Sequence, residues 1–224
     1  MNKYFTILKT ILFCTIVFAA EQASAQPTLR KPKTKNVVTI NKTTTIKGVF
    51  DCKGKTYRWT GRGSCGQTEG MPPMFVLSQG ATLKNCFIEK APDGVHIQGS
   101  NVTITNIVMP DVCEDAVSVR PNVNYTNIKI TNSQFAKCAD KCIQFNPKGV
   151  KKLTLANNDF MGGGSCVRFK GGADVTASNN RFANCNKGFY HSEGSAKLHL
   201  SGNKYYNVGT PVKSSGGLSV SGKD

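Results

Sequence analysis

The stretch ITNSQFAKCADKCIQF, residues 130–145, opens with a short unit that recurs along the chain. Its first six residues align with LKNCFI from Leu83, ITNIVM from Ile104, LANNDF from Leu155, ASNNRF from Ala177 and LSGNKY from Leu200. The units start roughly 21 to 26 residues apart, which is the spacing of a repeat architecture. The third place is held by Asn85, Asn106, Asn132, Asn157 and Asn179, and by Gly202 in the last unit.

Apolar and polar residues alternate around these units, as in VTITNI, VSV and LHL, and this is the period of a strand rather than of a helix. Each repeat therefore predicts one coil of short strands. Stacked coils form an all-β, single-domain parallel β-helix in which adjacent coils lie about 4.8 Å apart. We expect it to begin near Asn36 and its recurring asparagines to form a ladder of amides. A leucine-rich repeat is one alternative fold, but its leucine signature is missing. An antiparallel β-sandwich is another, but it does not explain why an asparagine recurs once per repeat.

Two segments precede the repeats. Residues 1–25 contain an early lysine, an apolar run over 11–20 and small residues at Ala23 and Ala25, which is typical of a secretory signal peptide cut before Gln26. A membrane anchor is the alternative, but the apolar run is short of the roughly 20 residues that a bilayer span needs. We expect an exported domain over 26–224, with a basic flexible arm over 26–35.

The chain is strongly basic, with 29 lysines and arginines against 13 acids and a net charge of +16. A basic exported protein favours a polyanionic partner, either nucleic acid, an anionic membrane or an acidic polysaccharide. The export signal and the lack of a nucleic-acid-binding motif argue against nucleic acid. We therefore expect a monomer that acts on an acidic polysaccharide, with neither nucleic acid nor a membrane as its partner.

Eight cysteines remain when Cys14 leaves with the signal peptide, and an even number in an exported chain predicts disulfides. A zinc site is the alternative, but no C-x-x-C pair occurs. Spacings of about one coil favour Cys86 with Cys113 and Cys142 with Cys166, and Cys52 with Cys65 is a third possible pair, although connectivity cannot be deduced from sequence.

Alignment of the coils brings charged residues of distant sequence positions together. The segments DGVHI, DAVSV, KCIQF, SCVRF and KGFYH occupy one strand position. Their first residues form a predicted column of Asp93, Asp115, Lys141, Ser165 and Lys187. Three residues later a second column contains His96, Ser118, Gln144, Arg168 and Tyr190, in which His96 is interpreted as a structural hydrogen-bonding residue.

Three acids are expected to meet at one end of this face. Glu114 directly precedes the first column, so that Asp93, Glu114 and Asp115 converge from two adjacent coils. Carboxylates this close repel one another unless they are neutralised, and their oxygens suit a calcium ion. Ion pairing with Lys141, one coil along, is the simpler interpretation, but three acids that meet from two adjacent coils favour calcium. Lys141 and Arg168 extend the face from acids to bases, which suits a polymer that carries carboxylates.

Four further segments of the chain stand out as motifs, namely GQTEGMPPMFVLSQGATLKN (66–85), DGVHIQG (93–99), CEDAVSV (113–119) and DKCIQFN (140–146). They resemble motifs of the polysaccharide lyase family 3 pectate lyases, and the likeness covers roughly residues 45 to 190. It implies a right-handed parallel β-helix, a calcium cofactor and cleavage of polygalacturonate by β-elimination.

The resemblance also implies roles for individual residues. Asp93, Glu114 and Asp115 are implied as calcium ligands, Lys141 as the base and Arg168 as an arginine of the cleft. Lys141, Arg168 and Lys187 are expected to bind substrate. Members of the family often have a second lysine where this chain has Ser165. Elimination removes a proton next to a carboxylate, and a neutral lysine can accept it, so we expect an alkaline optimum.

Two other functions are compatible with the sequence. A lyase-like solenoid could bind pectic polymers without cutting them, and Ser165 favours that alternative. A pectin hydrolase of the same architecture needs clustered carboxylates that act as acid and base on water, whereas the second column offers His96, Ser118, Gln144 and Arg168.

Overall fold

A computed structural model describes residues 25–32, 35–63, 65, 70–119, 125–146 and 152–224. The predicted signal peptide, apart from Ala25, lies outside the described residues. Within the described ranges no helix is long and apolar enough to cross a membrane.

The described residues form short strands throughout. The first eight are β1 (Val37–Ile40), β2 (Thr44–Ile46), β3 (Val49–Asp51), β4 (Thr56–Trp59), β5 (Pro73–Leu77), β6 (Thr82–Lys84), β7 (Phe87–Glu89) and β8 (Asp93–Ile97). They are followed by β9 (Thr103–Thr105), β10 (Val108–Met109), β11 (Asp115–Val119), β12 (Ile128–Thr131), β13 (Gln134–Ala136), β14 (Lys141–Phe145), β15 (Leu153–Ala156) and β16 (Asp159–Gly163). The last are β17 (Ser165–Phe169), β18 (Asp174–Ser178), β19 (Arg181–Cys185), β20 (Lys187–His191), β21 (Ser195–Ser201), β22 (Lys204–Tyr206), β23 (Thr210–Ser214) and β24 (Gly217–Lys223).

These strands belong to three sheets of eight strands each. The first sheet has the order β1-β4-β7-β10-β13-β16-β19-β22, the second β2-β5-β8-β11-β14-β17-β20-β23, and the third β3-β6-β9-β12-β15-β18-β21-β24. Each strand pairs in parallel with the strand three places along the chain, as β1 does with β4 and β2 with β5. One strand from each sheet thus makes one coil, which confirms the predicted all-β parallel β-helix.

The core lies between the three sheets, where equivalent apolar residues stack from coil to coil. Ile130 pairs with Ile104 on one side and with Leu155 on the other. Phe135, Phe160 and Phe182 form a second stack, with ring centroids 5.6 and 5.0 Å apart. Burial of such side chains stabilises the fold by roughly 1.5–3 kcal/mol each. A one-residue slip would expose them, so the core fixes the register between coils.

The recurring asparagines make the turn from the third sheet to the first. Their backbone φ angles lie between 52° and 58°, and Gly202 in the last unit has φ 66°. Asparagine tolerates this left-handed conformation better than most residues, and glycine adopts it freely. This requirement explains why one position repeats although the residues around it vary.

The predicted amide ladder is present at the start of this column, where Asn106 Nδ2 donates to Asn85 Oδ1 at 2.7 Å. A second, buried ladder lies one residue later in the repeat. There the Asn158 amide donates to Asn180 Oδ1 at 3.0 Å, and the Asn180 amide donates to Asn203 Oδ1 at 2.8 Å. The Asn203 amide in turn donates a hydrogen bond to Asp224 Oδ1 at 2.7 Å, which extends the ladder. Because these amides are inside the solenoid, their mutual hydrogen bonds satisfy groups that water cannot reach.

Eight cysteines form the disulfides Cys52–Cys86, Cys65–Cys113, Cys138–Cys142 and Cys166–Cys185. The prediction of disulfides is confirmed, but the suggested pairs Cys86–Cys113, Cys142–Cys166 and Cys52–Cys65 are wrong.

The corners of the coils explain the observed connectivity. Cys52 and Cys86 follow the paired ends of β3 and β6, which places their Cα atoms 5.0 Å apart. Cys138 and Cys142 flank one corner within a single coil, with Cα atoms 5.2 Å apart. Cys185 pairs in register with Gly163, which lies at the corner just before Cys166. Alignment of equivalent positions one coil apart cannot detect a contact within one coil such as Cys138–Cys142.

Arg30, within the predicted arm, lies along the edge where the third and first sheets meet. Its guanidinium donates to Asn106 Oδ1 at 2.6 Å and to the Asn132 carbonyl at 2.8 Å. Its backbone N–H donates to Gln134 Oε1 at 2.7 Å. Burial lowers the pKa of Arg30, and the nearby charge of Asp159 partly offsets that effect. The flexibility of the arm stays a prediction, but this arginine forms hydrogen bonds with four residues of the solenoid, Asn106, Ile107, Asn132 and Gln134.

Candidate functional site

The second sheet presents the two predicted columns in the predicted register. Asp115 pairs with Lys141, and Lys141 pairs with Ser165. The second column follows the strand pairs from His96 to Ser118, Gln144, Arg168 and Tyr190. Residues that are 20 or more positions apart in sequence therefore lie on neighbouring strands of one face.

The acidic end of this face is buried. Asp93 is 0%, Asp115 1% and Glu114 5% exposed. Burying acids is costly unless neighbours stabilise their charge. His96 Nε2 lies 2.7 Å from Asp93 Oδ2, as expected for a structural hydrogen bond, and the Ser118 hydroxyl donates to Asp115 Oδ2 at 3.0 Å. Each of these neighbours comes three residues after its acid on the same strand.

Lys141 supplies positive charge next to the acids. Its Nζ lies 3.8 Å from Asp115 Oδ1 and also forms an ion pair with Asp140. The simpler of the two sequence interpretations, an ion pair between Lys141 and the acids, is therefore present for Asp115. The pairing of Asp140 with Lys141 was not predicted from the sequence.

The donor set at this end fits a hard cation. Two adjacent coils contribute three buried carboxylate oxygens at this end, namely Asp93 Oδ1, Glu114 Oε2 and Asp115 Oδ1. Carboxylate oxygens are the ligands that calcium prefers. In the described part of the chain no three acidic, histidine or cysteine side chains are already arranged around a common metal position. Calcium binding by these three acids therefore stays a prediction, supported by the chemistry of the donors.

Arg168 lies two coils beyond Asp115 and is half-buried. Its Nη1 donates to Gln144 Oε1 at the long distance of 3.4 Å. Its Nε is buried and has no hydrogen-bond partner among the described residues. A guanidinium that is held by one weak bond keeps most of its donors for a ligand, and it suits a carboxylate in particular.

Arg168 is flanked by a small polar residue on its own strand, Ser165, and by Lys187 and Tyr190 on the next strand of the sheet. Ser165 is 7% exposed, and its backbone N–H donates to the Asp140 carbonyl at 3.3 Å. Lys187 lies in the next coil, with Nζ 5.2 Å from the centre of the Tyr190 ring. The sequence identified Lys187 as a substrate-binding residue. It placed Tyr190 in the column without a role, although the aromatic ring among cations was a usable signal.

The fold and this face together define a class, namely a parallel β-helix protein with a candidate groove on its second sheet, where the side chains pass from buried carboxylates to cations. The sequence profile described as Pectate lyase matches residues 28–190, about three quarters of the chain. The chain therefore belongs to the pectate lyase family.

Curated relatives agree with this assignment. Pectate lyase E of Emericella nidulans is 43% identical over 134 residues, which cover 56% of this chain and 51% of the relative. Probable pectate lyase E of Aspergillus clavatus is 36% identical over 167 residues, covering 68% and 64%. Pectate lyase H of Emericella nidulans is 37% identical over 148 residues, covering 63% and 53%. The chain spans about half to two thirds of the length of these relatives.

Proposed function

We propose that the chain is a calcium-dependent pectate lyase that cleaves polygalacturonate by β-elimination and leaves unsaturated oligogalacturonides. The observation that carries the proposal is the order of charges on the second sheet, from the buried acids through Lys141 to Arg168. A chain of sugar carboxylates laid along this face would meet a bound cation first and protein cations next. Membership of the pectate lyase family supports the same substrate class.

Asp93, Glu114 and Asp115 would hold the metal ion. When bound there, calcium would supply positive charge that draws electron density from the substrate carboxylate and so acidifies the proton next to it. Ser118 and His96 hold two of these acids in place through the hydrogen bonds described above. Such supporting contacts orient ligands and affect metal affinity.

In the proposed reaction the C5 proton of a galacturonate unit passes to a base, a C4–C5 double bond forms, and the bond from C4 to the bridging oxygen breaks. The bridging oxygen leaves with the electron pair of that bond and takes up a proton from water. Lys141 is the proposed proton acceptor. Arg168 would stabilise the negative charge that develops on the carboxylate attached to C5. If Lys141 stays charged, Arg168 or a water molecule would have to accept the proton instead.

The pH dependence follows from the proposed role of Lys141 as a base. An amine accepts a proton only in its neutral form. Higher pH increases the neutral fraction, so the rate should rise on the alkaline side of neutrality. Lys187 would bind a carboxylate further along the polymer.

Export to the extracellular space is part of the proposal. Four disulfides are consistent with an oxidising compartment, and the amino-terminal segment has the features of a signal peptide. We further expect the protein to act as a monomer, because one chain supplies both the acids and the cations of the groove.

The second candidate is a module that binds pectic polymers without cutting them. Two observations favour it, namely Ser165 at a position where the family often has lysine and the ion pairs of Lys141 with Asp115 and Asp140. Both candidates share the groove and the polymer, and they differ only in whether a proton is transferred.

One assay separates these functions. Polygalacturonate is incubated with the protein in calcium and in excess chelator, and ultraviolet absorbance follows unsaturated product. A rise in absorbance that occurs in the presence of calcium and is abolished by the chelator supports the lyase. Cleavage without absorbance would indicate a hydrolase, and binding without cleavage would indicate the module. Lys129→Ala is the matched control, because Lys129 is exposed on the third sheet, away from the groove.

A further inference from the structure

The second column continues beyond Arg168 for two more coils. Arg168 pairs with Tyr190, and Tyr190 pairs with Lys213 on β23. Adjacent coils are about 4.8 Å apart, so these side chains start from neighbouring points on one line along the solenoid. Lys187 lies in the first column of the same face and pairs with Thr210. An arginine, a tyrosine and a lysine thus follow one another on three coils.

These residues are accessible. Lys213 is exposed, and Tyr190 and Lys187 are partly exposed. Neither lysine forms an ion pair with a carboxylate among the residues that the structure describes. Lys187 instead has its ammonium over the Tyr190 ring, at 5.2 Å, which is a cation–π contact. The Tyr190 hydroxyl lies 3.5 Å from Ser215 Oγ, so the face of the ring and its hydroxyl each have a neighbour that restricts the side chain.

The chemistry of the cluster suits an acidic sugar. A tyrosine ring offers an apolar surface to the C–H groups of a pyranose, and it loses little conformational entropy on binding. The flanking ammonium groups can each pair with a carboxylate, and on binding Lys187 would exchange its ring contact for that stronger partner. A polymer with one carboxylate per unit would place a charge near successive coils.

We propose that Tyr190 and Lys213, together with Lys187, form an additional subsite that binds an acidic sugar unit of the polymer beyond Arg168. The substrate class rests on the proposed function. The family profile ends at residue 190, so Lys213 lies outside the matched region and belongs to this chain's own last coils. The subsite would make the protein prefer long polymers over short oligomers.

The test uses the full chain and the double variant Tyr190→Ala/Lys213→Ala. We expect KM for polygalacturonate to rise about tenfold, equivalent to roughly 1.4 kcal/mol, with little change in kcat. Activity on trigalacturonate, which can bind at the reaction centre without occupying the subsite, should fall much less. Lys197→Ala removes an exposed lysine of the third sheet and is the matched control.

Binding is measured separately, by affinity electrophoresis in gels that contain polygalacturonate. Weaker retention of the double variant than of Lys197→Ala supports the subsite even if no form of the protein cleaves the polymer, in which case only the proposed lyase activity fails. Equal retention of all variants overturns the subsite, whether or not wild type is a lyase. Equal losses on polymer and trimer would also overturn it, because they would place the two residues at the reaction centre.

Discussion

Lys141 is the residue on which the proposed chemistry depends most. It is 8% exposed, and it lies between the acids of one coil and the serine and arginine of the next. Its ion pairs with Asp115 and Asp140 orient the amine towards the acidic end of the groove. A base in that position would be next to the sugar carboxylate that the cation polarises.

Replacement of Lys141 tests this role. Lys141→Ala should lower kcat at least about a hundredfold, which is the usual loss when a general base is removed. The measurement is the initial rate of unsaturated product at alkaline pH, with circular dichroism as a check on folding. Lys129→Ala should retain wild-type activity. A fully active Lys141→Ala protein would show that Lys141 is not the base.

At this scale the sequence predicted the columns correctly and the disulfides incorrectly. Parallel coils repeat one strand position after another, so counting from the recurring asparagine placed Asp115, Lys141 and Arg168 on one face. The cysteines join at corners, where the number of residues varies from coil to coil. Spacing in the sequence therefore could not reveal that Cys138 reaches Cys142 within a single turn.

The next scale is that of the coil, where the interior ladder of amides is the main polar element. Asn180 is fully buried and uses both ends of its amide. Its Oδ1 accepts from the Asn158 backbone at 3.0 Å, and its Nδ2 donates to the Leu155 carbonyl at 3.0 Å. Removing it would leave buried donors and acceptors in two neighbouring coils without partners, which costs about 1–3 kcal/mol for each group.

Adjacent asparagines offer a matched pair of variants. Asn180→Ala should lower the free energy of unfolding by about 3 kcal/mol, because several buried groups lose partners. Asn179→Gly should change it by less than about 1 kcal/mol, since glycine adopts the left-handed turn freely, as Gly202 does one coil later. Denaturant unfolding measures both. Similar losses in the two variants would show that the turn, rather than the buried ladder, determines the stability of the coil.

Sequence comparison found the asparagine of the turn but missed the buried one. The turn position repeats in five units because its backbone conformation is required in every coil. The ladder position holds Cys86, Ile107 and Ser133 in earlier coils and becomes asparagine only from Asn158 onwards. A polar residue that appears in half of the repeats looks like ordinary variation until its burial is known.

Tyr205 makes the last coils sensitive to alkali. Its hydroxyl donates to Asp224 Oδ2 at 2.6 Å, and its ring stacks on Phe182 at 5.2 Å. Burial raises the pKa of Tyr205, and the hydrogen bond and charge of Asp224 raise it further. The fold therefore favours the neutral phenol. This contribution to stability is complete below the ordinary pKa of about 10 and decreases as pH rises above it.

Thermal unfolding over a pH series tests this effect. Wild type should lose stability between about pH 10 and 12 more steeply than Tyr205→Phe, whose side chain does not ionise. Below about pH 9 the two curves should run parallel, with the variant lower by the energy of its lost hydrogen bond. Curves that remain parallel up to pH 12 would contradict the assignment.

At the scale of the whole molecule, charge and shape act together. A net charge of +16 attracts a polyanion from a distance, while the buried acids of the groove are a local exception. The straight stack of coils lets a linear polymer contact several of them at once. Long-range attraction and local binding thus favour the same kind of partner.

Salt should separate the long-range attraction from the chemistry. The screening length falls from about 10 Å at 0.1 M salt to about 3 Å at 1 M. We expect KM for polygalacturonate to rise severalfold over that range while kcat changes little, with calcium kept saturating. Initial rates at several salt concentrations provide the comparison. A KM that is independent of salt would mean that the positive charge does not contribute to capture of the polymer.

The central claim is that the bond breaks by elimination, and the fate of water tests it most directly. Polygalacturonate is digested in water enriched in heavy oxygen, and the products are examined by mass spectrometry. Elimination predicts unsaturated new ends that carry no heavy oxygen, formed in calcium and absent with chelator. Heavy oxygen at the new reducing ends, with no unsaturated product, would mean that the protein is a hydrolase and would contradict the account.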